Sequence, residues 1–308
     1  MMTLLYQHPI CLEHDMGAGH PERPDRLRAI MAALEADEFA ALERREAPPA
    51  APEQIALVHP AAYIEAVEAA APTEGLARLD GDTAMCPASL SAALRAAGAA
   101  CAAVDAVVTG EVNNAFCAVR PPGHHAEPAR AMGFCIFNNA AIGARHARAA
   151  HGLGRVAVID FDVHHGNGTQ AAFWDDAEMF YGSTHQMPLY PGSGAADERG
   201  AGNIHNFPLP PGAGSAAFRQ AFGDGLLPAL TAFEPEFLVV SAGFDAHRAD
   251  PLAQLQLATD DYAWASERLL ELADRHCAGR LVSTLEGGYD LHALAAATAA
   301  HVAALMSA

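Results

Sequence analysis

Short, continuous apolar runs that end in polar side chains constrain the fold of this 308-residue chain more than any other feature. Apolar residues fill consecutive positions within each run, which is typical of strands covered on both faces. Six such runs lie at residues 4–7, 115–119, 156–160, 179–183, 237–241 and 281–285. Helical periodicity predicts helices at residues 21–36, 60–71, 87–109, 139–150, 216–233, 259–276 and 291–306. This alternation predicts an α/β fold with three layers, α/β/α, around a mostly parallel central sheet.

Composition favours one large domain over residues 1–308. Hydrophobic residues make up 51% of the chain, which is enough for a sizeable core. Neither a Ser/Gly-rich linker nor a fixed-period repeat divides the sequence. The Ala-rich stretch at residues 92–103 contains Arg95 and Gly98, which favours a buried helix over a membrane span. The first residues lack the pattern of a signal peptide, so we expect a cytoplasmic protein that makes no membrane contact.

The net charge is −19, and all 18 basic residues are arginines. An acidic surface repels nucleic acid and favours cationic ligands or basic partners, so we do not expect nucleic acid as a partner. The six cysteines are scattered without a C-x-x-C pair, which predicts reduced thiols.

Polar side chains follow four of the predicted strands at their carboxyl ends. The four segments are RPPGHH at residues 120–125, DFDVHHG at 160–166, AGFD at 242–245 and EGGY at 286–289. Ligands of open α/β sheets bind at this edge, so we expect the four loops to converge on one pocket.

The tripeptide Asp162-Val-His164 is the first candidate for metal binding. Residues two apart in an extended segment point to the same side, so both side chains can reach one ion. A carboxylate and a neutral imidazole suit zinc, and Asp245 is the natural third ligand, leaving one position open for water. A lone D-x-H pair more often ends a strand or caps a helix, but four polar strand ends together favour the metal site.

Adjacent histidines, His124 and His125, follow a rigid Pro-Pro-Gly turn. Histidine is the usual general acid or base because its pKa lies near the operating pH. We hypothesise that Asp160 orients His124 and that Asn167 orients His125. A carboxylate partner favours the imidazolium and an amide does not, so one histidine would be a charged stabiliser and the other a proton shuttle.

Tyr289 follows two glycines that can present its phenol to the pocket. A phenol donor opposite a zinc ion can polarise a carbonyl and hold the oxyanion of a tetrahedral intermediate. Taken alone, a Tyr after Gly-Gly is more often a turn residue.

Six segments together resemble the histone deacetylase family, and in particular its class II and bacterial amidohydrolase branch. They are HPERP at residues 20–24, RPPGHHAEP at 120–128, GFCIFN at 133–138, DFDVHHGNGTQ at 160–170, SAGFD at 241–245 and LEGGY at 285–289. The resemblance implies an arginase/deacetylase-like fold and a zinc-dependent amidohydrolase. Such an enzyme hydrolyses the amide of N-acyl-lysine side chains in peptides or proteins to a free amine and a carboxylate, using zinc-activated water with assistance from tandem histidines and a tyrosine.

The resemblance also implies roles position by position. The implied zinc ligands are Asp162, His164 and Asp245. The implied catalytic residues are His124, His125 as general base and then acid, and Tyr289. The implied substrate channel contains Gly133, Phe134, Tyr190, which stands where the family usually has Phe, and Leu252. An implied structural potassium would use Asp160, Ser183 and the backbone carbonyls of Asp162, His164 and Thr184. A second potassium would lie near Phe173 and Met179.

A second D-x-H pair, Asp245-Ala-His247, raises the alternative of a two-metal site. Ureohydrolases of the arginase type bind two manganese ions, but their metal loop needs a further Asp where this chain has Gly166. We therefore predict one catalytic metal and a solvated His247. Other histidines are expected to be structural, namely His59, His146, His151, His276 and His301.

Two other functions remain open from the sequence. The polyamine-selective branch of the superfamily carries an acidic gatekeeper at the pocket rim, where this chain has Leu252. Asp80 and Asp82 are candidates to line the rim and bind a cationic or peptide substrate, so an acylated small amine remains an alternative. A catalytically silent binding scaffold would be expected to lack a zinc ligand or the tyrosine, and these positions are intact.

Overall fold

Eight parallel strands form the central sheet of the protein, which we describe from a computed structural model for residues 2–307. The described residues contain ten strands in all, which are β1 (Thr3–Gln7), β2 (Glu43–Glu46), β3 (Ala77–Arg78), β4 (Ala84–Met85), β5 (Asn114–Cys117), β6 (Val156–Asp160), β7 (Met179–Gln186), β8 (Ile204–Leu209), β9 (Phe237–Ala242) and β10 (Leu281–Leu285). The order in the main sheet is β2-β1-β5-β10-β9-β6-β7-β8, and every neighbouring pair is parallel. Only β3 and β4 pair separately, as a short antiparallel hairpin within the described residues.

Ten α-helices flank the sheet in the described part of the chain. They are α1 (Pro24–Ala33), α2 (Pro52–Ile55), α3 (Ala61–Ala70), α4 (Ser89–Val108), α5 (Asn139–His151), α6 (Asn167–Phe173), α7 (Ser215–Gln220), α8 (Leu227–Phe233), α9 (Thr259–His276) and α10 (Leu291–Met306). Helices α4 and α5 pack together and against the central strands, while α1, α9 and α10 form another packed group. The predicted three-layer α/β/α architecture is confirmed.

The central strands are apolar because helices cover both faces of the sheet. All residues of β5, β6, β9 and β10 are buried, including the polar ones at their ends. A parallel sheet leaves neither face to water, so its strands contain consecutive rather than alternating apolar residues. This explains why all six predicted strands are present at or near their predicted positions.

Two edge strands, β2 and β8, were not predicted. The sequence of β2 is ERRE, which carries no apolar residue, and β8 contains Pro208. Each has a neighbour on one side only, so its residues need not be apolar and a proline is tolerated. Edge strands therefore lack the pattern that identifies the central ones.

The helix predicted at residues 216–233 contains a π-helical segment, in which the helical turns are wider than in an α-helix. A π-helical segment, Ala221–Leu226, separates α7 from α8 and contains Gly223 and Gly225. A Cβ atom at Gly225 would lie 2.4 Å from the Phe207 ring, so only glycine lets this turn approach β8. Residues 215–233 are nevertheless helical throughout, so the predicted helix is present and differs only in this π-helical segment.

Helix α4 is long and apolar enough to cross a membrane by length and composition alone. Two-thirds of its most apolar stretch (67%) is buried in the protein, which is typical of a core helix. Gly98 in this helix touches the chain that follows β2: an added Cβ would lie 2.0 Å from the carbonyl oxygen of Pro48 and 2.6 Å from the nitrogen of Ala50.

Replacing Gly98 by Ala should therefore lower the free energy of unfolding by about 1–3 kcal/mol, although Ala normally favours a helix over Gly. The nearest atom to an added Cβ at Gly223 is 3.7 Å away, so Gly223→Ala is a matched control that should be neutral. Urea denaturation of both variants measures the difference. A Gly98→Ala protein as stable as the wild type would contradict this close packing.

Candidate active site

Four adjacent strands, β5, β10, β9 and β6, deliver the predicted loops to one edge of the sheet. The register pairs Asp160 of β6 with Ser241 of β9, and Ser241 with Thr284 of β10. The loops that follow therefore start at the same level, which is the usual position of ligand sites in such sheets.

Asp162, His164 and Asp245 form a cluster with the composition of a metal site. Nδ1 of His164 lies 3.0 Å from Oδ1 of Asp162 and 3.1 Å from Oδ2 of Asp245. One ligand atom of each residue lies within 4.8 Å of the others. Both aspartates are fully buried, and burial, reinforced by the Asp162 carboxylate, raises the pKa of Asp245. Two buried carboxylates beside one imidazole call for a cation, and this donor set fits zinc.

The backbone around the cluster is shaped to hold the carboxylates. The amide of Val163 donates to Oδ1 of Asp245 at 2.8 Å, and the amide of Gly287 donates to Oδ2 of Asp162 at 2.8 Å. A Cβ atom at Gly287 would lie 2.1 Å from Oδ2 of Asp245, and one at Gly243 would lie 2.1 Å from Oδ2 of Asp162. Glycine is therefore required at both positions.

His124 is held among carboxylates. Its Nδ1–H donates to Oδ2 of Asp160 at 2.9 Å, and its Nε2 lies 3.8 Å from Oδ1 of Asp162. Burial alone would lower the pKa of His124, but the Asp160 and Asp162 carboxylates outweigh burial and raise this pKa well above its usual value. The two carboxylates therefore favour the imidazolium form of His124.

His125 has the opposite character. Its Nδ1–H donates to Oδ1 of Asn167 at 2.8 Å, while Nδ2 of Asn167 donates to Oε1 of Glu127, which fixes the orientation of the amide. Burial and the positive charge of His124 lower the pKa of His125 well below its usual value. His125 is therefore neutral, and this tautomer leaves Nε2 as a proton acceptor.

Tyr289 is positioned by a carboxylate and a guanidinium group. Its backbone N–H donates to Oδ2 of Asp250 at 2.7 Å, and the Arg26 guanidinium lies 4.9 Å from its ring centroid. Burial raises the pKa of Tyr289 well above its usual value, and Arg26 opposes the shift only in part. The phenol therefore keeps its proton and can donate it in a hydrogen bond.

A fully buried ionic cluster supports these loops from behind. Glu22 accepts hydrogen bonds from Arg26 at 3.0 Å and from Arg120 at 2.6 Å. Arg26 also donates to the carbonyl oxygens of Gly288 and Glu286, at 2.6 and 2.5 Å. The cluster thereby joins the loop before Tyr289 to the start of the double-histidine loop. Sequence reasoning assigned these residues no role, although Glu22 and Arg120 lie within the family-like segments.

Glu286 is a second residue whose role was missed. Its Oε2 atom accepts from the backbone amides of Gly123 and His124, at 2.7 and 3.1 Å, and Oε1 accepts from the Ser241 hydroxyl at 3.1 Å. It thus fixes the double-histidine loop against β9. Two signals were available, its position in the polar segment after β10 and its place in the family-like segment at residues 285–289.

The cluster opens into a cavity of about 270 Å³. Its lining includes all four predicted channel residues, and the complete set is Asp82, Pro122, His124, His125, Gly133, Phe134, His164, Leu189, Tyr190, Leu252, Gly287 and Tyr289. Tyr190 and Leu252 are 39% and 36% exposed, so they stand at the mouth. The cavity therefore runs from solvent to His164, one of the three candidate metal ligands.

The wall of the cavity beside His125 requires an unusual backbone. Gly133 has a φ of 57°, and a Cβ there would lie 2.5 Å from Cδ2 of His125. Phe134 also has a positive φ, 70°, and its amide donates to the Thr83 hydroxyl at 3.0 Å. The amide of Gly133 donates to Oδ1 of Asp82 at 3.2 Å, so the rim segment holds this wall in place.

Residues predicted around a structural potassium are neighbours in the sheet. The β6–β7 register pairs Asp160 with Ser183, and Thr184 follows in β7. At the predicted second potassium, the carbonyl oxygens of Phe173, Asp176 and Met179 accept from Nδ2 of Asn203 at 2.9, 3.1 and 2.6 Å. Three carbonyl oxygens thus converge on one side-chain amide, and the second potassium near Phe173 and Met179 stays a prediction.

Three of the histidines predicted to be structural, and His247, which was predicted to be solvated, lie outside the Asp162–His164–Asp245 cluster. His247 is partly exposed and its Nδ1 accepts from the amide of Ala249, as expected of a loop residue. His59 bridges the backbone of Pro128 and Asn138, and His301 contacts two buried serine hydroxyls. His276 ends α9 and is partly exposed.

Replacing Glu22 by Gln should destabilise the protein by about 3–5 kcal/mol, because two buried guanidinium groups would lose the carboxylate between them. The free energy of unfolding from urea denaturation measures this loss. Glu13→Gln is the matched control, since Glu13 is exposed nearby. Equal stability of the two variants would contradict the supporting role of Glu22.

Known proteins are similar to this chain over almost its whole length. The family model "Histone deacetylase domain" matches residues 20–305. A histone deacetylase-like amidohydrolase of Pseudomonas aeruginosa is 45% identical over 278 residues, covering 88% of this chain and 73% of the relative. A chloroplastic histone deacetylase 10 of Oryza sativa is 43% identical, covering 96% of this chain and 71% of the relative. The crystal structure of the HDA15 HD domain superposes with a TM-score of 0.94 at 37% identity, covering 99% of this chain and 88% of that one. The chain therefore belongs to the histone deacetylase family of deacetylases and amidohydrolases.

Proposed function

We propose that this protein is a zinc-dependent deacylase that hydrolyses N-acyl-lysine side chains of peptides or proteins. The observation that carries the proposal is the convergence of three elements at the bottom of one cavity. These are an Asp-His-Asp ligand set, a histidine pair with opposite charge states, and a protonated tyrosine.

Asp162, His164 and Asp245 would hold the zinc ion. Three protein ligands leave a coordination position open, as catalytic zinc sites do. When bound, zinc supplies Lewis-acid activation of water and of the acyl carbonyl.

The protein's own residues then divide the proton transfers. Nε2 of neutral His125 would accept a proton from the attacking water, and the resulting imidazolium would donate to the leaving amine. His124, already charged, would stabilise negative charge that develops next to it. The Tyr289 phenol would donate to the oxygen of the scissile carbonyl and stabilise the oxyanion.

The channel supports a long, narrow acyl-amine substrate. Phe134 and Tyr190 would present aromatic surfaces to an aliphatic chain. The carbonyl of Gly133 in the same wall, which accepts from the Cys135 thiol at 3.3 Å, would also accept from the substrate amide N–H. Asp82 at the rim can accept from a peptide backbone or attract a cation. Apolar Leu252 at the mouth favours lysine peptides over acetylpolyamines, which remain the second candidate substrates because Asp82 also suits a cationic amine.

The surroundings of the reaction belong to the same proposal. A potassium ion at Asp160 and Ser183 would add a structural positive charge behind the histidines. We infer a cytoplasmic enzyme that works without nucleic acid or membrane, and an intact constellation of ligands, histidines and tyrosine disfavours a silent scaffold.

Amine release from three substrates tests the function: an acetyl-lysine peptide, longer acyl-lysine peptides and an acetylated polyamine. Each is assayed with the chelated protein and after zinc is restored. Zinc-restored hydrolysis of a lysine peptide is expected. Preference for the acetylpolyamine would move the substrate to the second candidate, and no turnover with zinc demonstrably bound would favour a scaffold.

Replacing His125 by Ala or Tyr289 by Phe should lower kcat by about two to four orders of magnitude while zinc stays bound. The reason is that each change removes one proton donor or acceptor but no metal ligand. Steady-state kinetics and metal analysis on the same samples measure both quantities. Near-normal turnover in either variant would refute the role given to that residue.

Replacing Leu252 by Glu should raise the ratio of kcat/KM for acetylpolyamine over acetyl-lysine peptide by about fivefold, corresponding to about 1 kcal/mol for a partly exposed charge pair. Leu252→Gln is the matched control, because it changes size and polarity without adding charge. A rise in the ratio that is equal for Glu and Gln, or no rise, would contradict an electrostatic role for this rim position.

A further inference from the structure

Three side chains away from the candidate active site converge on one another: Asp105 of α4, and His146 and His151 of α5. Nε2 of His146 and Nε2 of His151 each lie 2.7 Å from the same oxygen, Oδ1 of Asp105. The two rings are perpendicular, with centroids 5.8 Å apart. One ligand atom from each side chain lies within 4.8 Å of the other two, as in the Asp162 cluster.

The spacing of the two histidines makes this convergence notable. Residues five apart on a helix point in directions about 140° apart, so regular helix geometry does not bring them together. His151 is the last residue of α5, before Gly152 in the left-handed conformation, which lets its ring turn back. The end of the helix and the neighbouring α4 therefore create a three-ligand site that neither helix forms alone.

The cluster lies at the opposite edge of the sheet from the catalytic loops. Asp105 stands in the last turn of α4, which leads into β5, and His151 ends α5, which leads into β6. Helices that precede parallel strands end at the amino edge of the sheet, whereas the catalytic loops follow the carboxyl ends of these same strands. The cluster thus shares no residue with the candidate active site.

The cluster is accessible on one side. The Asp105 side chain is 49% exposed, whereas those of His146 and His151 are 11% and 18% exposed. Burial would raise the pKa of Asp105, but the hydrogen bonds of the two histidines outweigh burial and lower it, so Asp105 is a carboxylate at neutral pH. Water can therefore reach the two largely buried imidazoles from the side of the half-exposed carboxylate and complete a coordination shell.

We propose that Asp105, His146 and His151 form a second metal site, which binds a divalent transition metal such as Zn²⁺ and links the ends of α4 and α5. Two imidazole nitrogens and one carboxylate oxygen are typical ligands for this class of ion, and water would fill the open position. On binding, each imidazole would coordinate through Nε2 and carry its remaining proton on Nδ1, so that both Nε2 lone pairs face the metal.

Metal stoichiometry tests the site. The zinc-loaded protein is dialysed against micromolar ZnCl₂ at slightly alkaline pH, and the zinc retained per chain is measured for the wild type, His151→Ala and Asp105→Asn. His276→Ala is the matched control, because His276 also stands at the end of a helix and is partly exposed. Asp105→Asn keeps the shape of the side chain, so it shows whether a loss of zinc in His151→Ala comes from a folding defect.

We expect the wild type and His276→Ala to retain one more zinc ion per chain than His151→Ala and Asp105→Asn. Added zinc should also raise the Tm of the wild type more than that of these two variants, with amine release unchanged in His151→Ala. The test rests on the difference between proteins, so it is independent of whether the candidate active site holds zinc. Equal retention by the wild type and His151→Ala, or an equal loss in His276→Ala, would overturn the proposal.

Discussion

The burial of carboxylates at one edge of the sheet is the constraint on which the rest of the structure depends. Asp160 at the end of β6, Asp162 in the loop after β6 and Asp245 in the loop after β9 are all fully buried. Removing a carboxylate from water costs several kcal/mol unless positive charge and hydrogen bonds compensate. The protein supplies the His124 imidazolium and several backbone amides, and the Asp162–Asp245 pair still calls for a cation between its oxygens.

The same constraint explains why the surrounding backbone tolerates so little change. Gly243 and Gly287 leave space that the carboxylates fill, and Gly133 leaves space for the His125 ring. The buried Glu22, Arg26 and Arg120 form a second layer of charge that ties the loops to each other. Because these ions are themselves buried, they are stable only as a complete set, which links the shape of the site to the stability of the fold.

Sequence patterns predicted the parts of this protein in which burial alone decides the residue type. The six central strands are continuous apolar runs because both faces of the sheet are covered, and the polar residues after them identified the site. Strand β2 was not predicted because an edge strand can be as polar as ERRE. The π-helical segment at residues 221–226 was not predicted because it depends on the close approach of Phe207 to Gly225.

The supporting residues of the site could not be assigned from sequence for a different reason. Asp250 accepts a hydrogen bond from the backbone amide of Tyr289, which lies 39 residues later in the chain. Glu22 accepts a hydrogen bond from Arg120, which lies 98 residues later. Such contacts are set by how loops pack, which no local spacing encodes. The pairing of Asp160 with His124 and of Asn167 with His125 was accessible as a hypothesis only because Asp160 and Asn167 lie beside the predicted metal loop.

Titration of the metal-free protein with zinc, while amine release from an acetyl-lysine peptide is followed, tests the central claim most directly. If the buried Asp162–His164–Asp245 cluster is built for one catalytic cation, activity should be absent without metal. In the His151→Ala protein, which lacks a ligand of the second proposed site, it should reach its plateau at one zinc ion per chain. Full activity in the metal-free protein, or a plateau that survives replacement of Asp245 by Ala, would contradict the account.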